Sequence, residues 1–164
     1  MQVSTRAMMS FLVTRFSDLS IPEKATWQAL AAKDLIPTYN AYLAANLERW
    51  RQFLAPSQAY PAAENGVLGD IDYWQATGGP AHVDLAADWY GIENNWGIII
   101  FRSTSTGFTP SRSNAIAVVP HLLTSGTFYS DTGLPPATYY YKLRNFTTTG
   151  KLSTPSGQAS ATVT

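Results

Sequence analysis

Glycine is confined to one part of this chain, and its distribution constrains the fold more than any other feature. Residues 1–55 contain no glycine and are rich in Ala and Leu, whereas all eleven glycines fall within residues 66–157, where Ser and Thr are frequent. Ala and Leu favour helix, while Gly marks turns between strands rich in Thr and β-branched residues. The sequence therefore predicts an α+β chain divided by segment, in which short N-terminal helices precede an all-β region.

Three helices account for the glycine-free region. Apolar residues recur at helical spacing in the first. The second begins at a capping box, in which Ser20 is followed three residues later by Glu23. The third, for which Thr38 is the expected cap, ends before Pro56. It carries an apolar stripe formed by Tyr39, Tyr42, Leu43, Leu47, Trp50 and Leu54.

Proline and alanine mark the boundary between the two regions. Residues 56–64 include Pro56 and Pro61, and this composition predicts an extended, fairly stiff linker. The predicted organisation is a helical docking region over 1–55, a Pro/Ala linker over 56–64 and a β-sandwich over 65–164. Because this interpretation treats the helices as a separate unit, removing residues 1–55 is expected to leave a folded, monomeric sandwich.

The region after residue 65 reads as short strands separated by turn residues, which is typical of a β-sandwich. Residues 83–87 and 138–146 alternate between apolar and polar side chains. Residues 97–102 form a nearly continuous apolar run, as expected of a strand covered on both faces. Further strands are predicted at residues 66–74, 115–119, 127–130 and 158–164.

One segment of the β region resembles a known domain family. Residues 129–143 read Tyr-Ser-Asp-Thr-Gly-Leu-Pro-Pro-Ala-Thr-Tyr-Tyr-Tyr-Lys-Leu, similar to the corner and following strand of fibronectin type III domains. Residues 151–156 and 99–103 resemble two other segments of that family. The resemblance implies a fibronectin type III or immunoglobulin-like sandwich, with Tyr139 as the buried structural corner that hydrogen-bonds the backbone. Ala137 departs from the family, which has a turn glycine there.

The helical region has a resemblance of its own. Residues 19–27 read Leu-Ser-Ile-Pro-Glu-Lys-Ala-Thr-Trp, and residues 38–46 read Thr-Tyr-Asn-Ala-Tyr-Leu-Ala-Ala-Asn. These segments resemble small phage and prophage structural proteins that carry a β-sandwich behind such helices. The resemblance implies a virion protein that is assembled in the host cytoplasm.

Charge is sparse and balanced along the chain. The 11 Lys and Arg residues match the 11 Asp and Glu residues, and only 13% of residues are charged. A weakly charged surface favours contact with other proteins, and the absence of a basic stripe argues against nucleic acid as a partner. No apolar run is long enough to span a membrane. Arg6 and Arg15 interrupt the N-terminal apolar stretch, so no signal peptide is expected.

Residues that carry catalytic chemistry are few and scattered. The chain has no cysteine, and its histidines, His82 and His121, belong to no metal-ligand or nucleophile motif. A Ser-His-Asp triad stays open on spacing alone, as does calcium binding by the acidic residues between 70 and 93. We expect a protein that is not an enzyme and needs no cofactor.

Aromatic residues of the helical region are the candidate interface. Trp27, Tyr39, Tyr42, Trp50 and Phe53 are large side chains of the type that anchors protein interfaces. A region of about 55 residues buries its own core poorly, so we expect them to divide between a small core and a partner surface.

Two functions follow from these observations. The first is a non-enzymatic virion structural protein, a capsid-associated, decoration or neck component, that docks through its helices on other virion proteins, such as the major capsid or neck protein, in a homo-oligomer or symmetric assembly. The alternative is a sandwich module that binds carbohydrate or a host surface. In that case Trp74, Trp89, Tyr90 and Trp96 would serve as stacking platforms.

Overall fold

The computed structural model describes residues 3–69, 71, 73–88, 95–121 and 125–164. Three helices come first: α1 (Val3–Arg15), α2 (Ile21–Asp34) and α3 (Thr38–Arg51). Seven strands follow: β1 (Trp74–Gly79), β2 (His82–Ala87), β3 (Asn95–Ser103), β4 (Ala115–Pro120), β5 (Gly126–Thr132), β6 (Ala137–Thr147) and β7 (Ala159–Val163). The predicted fold class, helices followed by an all-β sandwich, is confirmed.

The helix starts differ in how they are capped. At α2 the capping box is present: the Ser20 N–H donates to Glu23 Oε2 at 2.6 Å, and the Glu23 N–H donates to Ser20 Oγ at 3.4 Å. At α3 the cap position is Pro37, with no side-chain hydrogen bond, so the predicted Thr38 cap is wrong. Proline already holds the φ angle that a helix start requires. No helix in the described part of the chain is long and apolar enough to cross a membrane.

The strands form two antiparallel sheets that face each other. One sheet has the order β1-β2-β5, and the other has the order β4-β3-β6-β7. The chain therefore crosses between the sheets after β2, after β4 and after β5, as in the Greek-key connections of β-sandwiches.

Strand β3 explains how the helices and sheets fit together, because its side chains enter two different cores. Ile98 and Ile100 belong to the core between the sheets, together with Val83, Leu85 and Leu143. Ile99 and Phe101 point to the other side and pack in a second core. That second core contains Met8, Phe11, Leu12, Trp27, Tyr42, Trp50, Trp96, Val118 and Phe146.

The helices thus cover the outer face of the four-stranded sheet, and the molecule has three layers. The prediction that residues 97–102 form a strand covered on both faces is confirmed. The sequence-based interpretation of residues 1–55 as a separate docking region did not include this contact between the helices and the sheet. An amphipathic pattern shows that a face is buried but not what buries it.

Residues 56–64 do not space the two regions apart. The Gln58 N–H donates to the Thr148 carbonyl at 2.8 Å, and the Glu64 N–H donates to the Thr149 carbonyl at 3.0 Å. On the helical side, the Ser57 N–H donates to Asn46 Oδ1 at 2.7 Å. The segment is therefore held between α3 and the turn that follows β6.

The predicted first strand is misplaced. The structure has no strand over residues 66–69, and β1 instead begins at Trp74 and ends in two glycines. A Cβ atom on Gly78 would lie 2.0 Å from the Thr162 carbonyl oxygen, so this glycine allows β1 to approach the backbone of β7. Paired glycines usually indicate a turn. Here Gly79 directly precedes the turn at Pro80 and Ala81, whereas Gly78 serves close packing against β7.

Candidate functional site

The clearest concave surface among the described residues lies at one end of the three-stranded sheet. Trp74 pairs with Ala87, which in turn pairs with Gly126 on β5. Just outside these pairs, the Asp88 N–H donates to the Tyr73 carbonyl at 2.9 Å. This bond holds the start of β1 next to the end of β2. The resulting cleft has a volume of about 450 Å³ and is lined by Tyr73, Trp74, Gln75, Ala86, Ala87, Asp88 and Gly126.

Side chains from both faces of β1 contribute to this cleft. Trp74 belongs to the inward row and packs against the core between the sheets, so its ring is only partly exposed. Gln75 pairs with Ala86 in the outward row and is exposed. Tyr73 is 76% exposed although it is a large aromatic residue. The cleft therefore combines one fixed ring with one ring that is open to solvent.

The cleft also carries two polar side chains that can form hydrogen bonds with a ligand. Asp88 offers a carboxylate and Gln75 offers an amide, and both side chains are exposed. No lysine or arginine is among the described residues that line the cleft. Small-molecule sites commonly have volumes of about 300–1,000 Å³, and the volume of this cleft falls in that range.

Only part of the predicted stacking set reaches this cleft. Trp74 lines it, whereas Trp96 is 8% exposed and packs edge-on against Phe11 in the core beneath the helices. Trp89 and Tyr90 lie outside the described residues. Tyr73 and Gln75 are not among the site residues predicted from the sequence, although the adjacent aromatic residues at 73 and 74 are a visible signal. The reason is that the first strand is predicted at residues 66–74, whereas β1 spans Trp74–Gly79.

The five candidate interface residues all pack in or against the core that lies beneath the helices. Trp27 is 1% exposed, and Tyr42 and Trp50 are 0% exposed. Tyr39 and Phe53 are partly buried against the same core. The Trp27 indole N–H donates to the Gln58 carbonyl at 2.6 Å, and burial raises the pKa of Tyr42. Trp27, Tyr42 and Trp50 are therefore covered by the chain itself, which leaves Tyr39 and Phe53 as the members of the set that a partner could touch.

Tyr139 occupies the predicted corner. It is 5% exposed, and its hydroxyl donates to the Pro135 carbonyl at 3.0 Å. The bond reaches back four residues along the chain, which is the arrangement of a tyrosine corner. This residue holds the start of β6 in place and has no part in the cleft.

The histidines and carboxylates do not form a catalytic relay in the described residues. His82, Asp84 and Ser130 are neighbours on β2 and β5, but the Ser130 hydroxyl donates to Asp84 Oδ1 at 2.5 Å. His82 Nε2 lies 3.8 Å from the other Asp84 oxygen. A hydrolytic triad needs the imidazole between the hydroxyl and the carboxylate, and here the carboxylate lies between them.

His121 stands apart from this cluster. It follows β4, and its partial burial lowers its pKa. In the described part of the chain, no three His, Cys, Asp or Glu side chains are placed to hold a metal ion. Asp70, Asp72 and Glu93, which belong to the acidic set considered for calcium, lie outside the described residues.

No protein-family model matches the chain, and no curated protein matches its sequence. Among solved structures, the β-1,2-glucanase from Parabacteroides distasonis aligns at 24% identity with a TM-score of 0.47, covering 63% of this chain and 14% of the glucanase. An Fn3-like protein from Clostridium thermocellum aligns at 20% identity with a TM-score of 0.46, covering 60% of this chain and 96% of that protein. Both similarities concern the fold.

Proposed function

We propose that this chain is a non-enzymatic binding protein and that its cleft takes a neutral carbohydrate. The observation that carries the proposal is a cleft of about 450 Å³ whose lining includes the exposed Tyr73 and the partly buried Trp74. Sugar rings present C–H groups on their faces and hydroxyl groups at their edges. Aromatic side chains offer large apolar surfaces against which the C–H faces of a sugar can pack.

The polar groups suit the hydroxyl edge of a sugar. A carboxylate accepts hydrogen bonds from neighbouring hydroxyl groups, and an amide both donates and accepts them. Asp88 and Gln75 supply these two groups in the same cleft as the aromatic rings. Because the described lining has no cation and includes one carboxylate, an anionic sugar would meet repulsion without compensation.

Tyr73→Ala tests this proposal. We expect the wild-type protein to bind a neutral glycan on an immobilised panel. We expect this variant to lower that affinity about 2- to 12-fold, the effect of about 0.5–1.5 kcal/mol for an aromatic contact. The matched control is Tyr60→Ala, since Tyr60 is also exposed, at 43%, but contacts Trp27 on the helical side. Equal losses in both variants, or binding restricted to anionic glycans, would contradict the assignment.

A virion structural role is the second proposal, and the helical side of the molecule favours it. Nine large apolar side chains are exposed among the described residues, and six of them belong to residues 3–54: Val3, Val13, Ile21, Leu35, Ile36 and Leu54. With only 13% charged residues in the chain, such a surface suits contact with other protein.

Mass spectrometry of particles purified from the host tests this role. The chain should be a stoichiometric component of the particles, and its presence only in the unassembled fraction would exclude the role.

A further inference from the structure

A small pocket lies between α2, α3 and residues 57–62, and it shares no residue with the cleft. Its volume is about 180 Å³, and its lining includes the exposed Tyr60, Pro61, three alanines and Arg49. A cavity of about 150 Å³ holds one benzene ring, whereas sites for whole small molecules commonly reach about 300–1,000 Å³. The pocket therefore has room for a single ring or side chain.

The helices hold the wall of this pocket in place. The Tyr60 ring lies against Trp27, with 5.6 Å between the ring centroids, and the Tyr60 N–H donates to Thr26 Oγ1 at 2.9 Å. At the other end of the segment, the Ser57 N–H donates to Asn46 Oδ1 at 2.7 Å. A ligand would therefore meet a surface that is already ordered, which lowers the entropic cost of binding.

Arg49 brings unused hydrogen-bond donors to the pocket. Its Nε donates to the Ala55 carbonyl at 2.7 Å, and its Nη2 donates to the Gly150 carbonyl at 3.1 Å. Nη2 also lies 2.9 Å from Glu64 Oε1. Among the described residues no group accepts a hydrogen bond from Nη1, although the side chain is 19% exposed. A bound group can therefore accept from Nη1 without displacing another contact of Arg49.

The carbonyl groups of the lining segment are already engaged. The Ser57 carbonyl accepts from the Asn46 amide at 3.1 Å, and the Ala59 carbonyl accepts from the Ser57 hydroxyl at 2.9 Å. Between them, the Gln58 carbonyl accepts from the Trp27 indole. The pocket thus favours a ligand that accepts hydrogen bonds and brings no N–H group of its own, because a buried donor without a partner is costly.

Charge narrows the ligand further. The Glu64 carboxylate balances the Arg49 guanidinium, so an anion would meet a nearby negative charge as well as the cation. A neutral carbonyl avoids this repulsion. Proline combines the required features, since it has a compact apolar ring, a carbonyl and no N–H.

We propose that this pocket binds a proline residue in an extended, proline-rich segment of a partner protein. The pyrrolidine ring lies in the pocket beside Tyr60, and a carbonyl of the segment accepts a hydrogen bond from Arg49 Nη1. Proline-rich segments are extended before they bind, and they dock on aromatic surfaces with little loss of conformational freedom. The proposal depends neither on the carbohydrate cleft nor on a virion partner.

Chemical-shift mapping of the ¹⁵N-labelled full chain with acetylated, amidated hexaproline tests the pocket. We expect saturable shifts at millimolar peptide, concentrated at the Ala59, Tyr60 and Ala62 amides and at the Arg49 side chain. The matching hexa-alanine peptide, which carries N–H groups and no ring, should give no saturable shifts. Equal binding of the two peptides, no saturable shift with hexaproline, or shifts centred on the cleft would each overturn the proposal.

The aromatic wall is tested by Tyr60→Ala. This variant should lower the affinity for hexaproline about 2- to 12-fold, the effect of one aromatic contact. Val67→Ala is the control, because Val67 is also an exposed apolar side chain close in the sequence but does not line the pocket. An unchanged affinity in Tyr60→Ala, or the same loss in Val67→Ala, would contradict a proline ring beside Tyr60.

The hydrogen bond is tested by Arg49→Lys, which keeps the positive charge beside Glu64 but removes Nη1. Hexaproline binding should weaken in this variant, whereas Arg51→Lys, an exposed arginine of the same helix, should bind as the wild type does. The unfolding curve of Arg49→Lys is measured alongside, because Arg49 also holds two backbone carbonyls. A folded Arg49→Lys protein with wild-type affinity would overturn the proposal, and if this variant does not fold, Tyr60→Ala decides.

Discussion

Asp131 shows how single residues tie the two sheets together. It is 5% exposed on β5, and Arg102 Nη1 from β3 lies 2.8 Å from both of its carboxylate oxygens. The Tyr141 hydroxyl from β6 donates to the same carboxylate at 2.9 Å. Burial, and then this hydrogen bond, raise the pKa of Tyr141. The carboxylate is therefore paired and hydrogen-bonded, as a buried charge requires.

The contribution of a single residue to stability can be tested at Tyr139. Tyr139→Phe should lower the free energy of unfolding by about 1 kcal/mol, because it removes the hydrogen bond to the Pro135 carbonyl while keeping the buried ring. Chemical denaturation measures the difference. Tyr140→Phe, on the opposite face of β6, is the matched control and should change stability by less. Equal losses in the two variants would mean that the corner hydrogen bond contributes nothing.

At the scale of elements, the sequence predicts best those strands and helices whose apolar residues follow a regular spacing. Strands β2, β3 and β6 alternate or run apolar in the way that their burial requires, and the capping box at Ser20 marks the start of α2. Strand β1 has no such pattern, since its burial alternates poorly and it ends at Gly79. Its place depends on pairing with β2 and also on contact with β7, which is more than 80 residues away in the chain.

The close approach of β1 to β7 can be tested by a substitution at Gly78. Gly78→Ala should destabilise the protein by about 1–3 kcal/mol, because the added methyl group would overlap backbone atoms of Thr162 that have little room to move. Thermal or chemical unfolding provides the measurement. Gly157→Ala is the control, since a Cβ atom there meets no atom within 4 Å. A tolerated Gly78→Ala would show that β1 does not close against β7.

At the scale of the whole molecule, the sequence predicts both halves but not their contact. Each amphipathic element shows which of its faces is buried, yet a helix stripe and a strand face are equally apolar whether they meet each other or a different protein. The cleft is hidden for a related reason. Tyr73, Asp88 and Gly126 come from three separate segments and meet only through the pairing register of β1, β2 and β5.

Removal of residues 1–55 tests the three-layer architecture. The truncation uncovers side chains that are 0% exposed in the whole chain, among them Ile99, Phe101 and Phe146. In place of the folded monomer expected from the sequence, we now expect an aggregating or partly unfolded sandwich.

Size-exclusion chromatography and unfolding curves measure the result of this truncation. A rescue variant that carries Ile99→Thr, Phe101→Thr and Val118→Thr in the truncated chain should recover solubility, because it makes the uncovered face polar. A monomeric truncated chain without these substitutions, as stable as the full chain, would contradict the architecture.

The most direct test of the account is chemical-shift mapping of the ¹⁵N-labelled full chain during titration with neutral oligosaccharides, such as cellohexaose, laminarihexaose and N-acetylchitohexaose. We predict saturable shifts for at least one of them. The shifts should be concentrated at Tyr73, Trp74, Gln75 and Asp88, including the Trp74 indole and the Gln75 side-chain amide. In Tyr73→Ala they should need about 2- to 12-fold more ligand to reach half saturation, while the spectrum of the ligand-free variant is otherwise unchanged. Shifts centred on the helical layer, or no shift with any neutral oligosaccharide at millimolar concentration, would contradict a carbohydrate-binding cleft at this end of the sandwich.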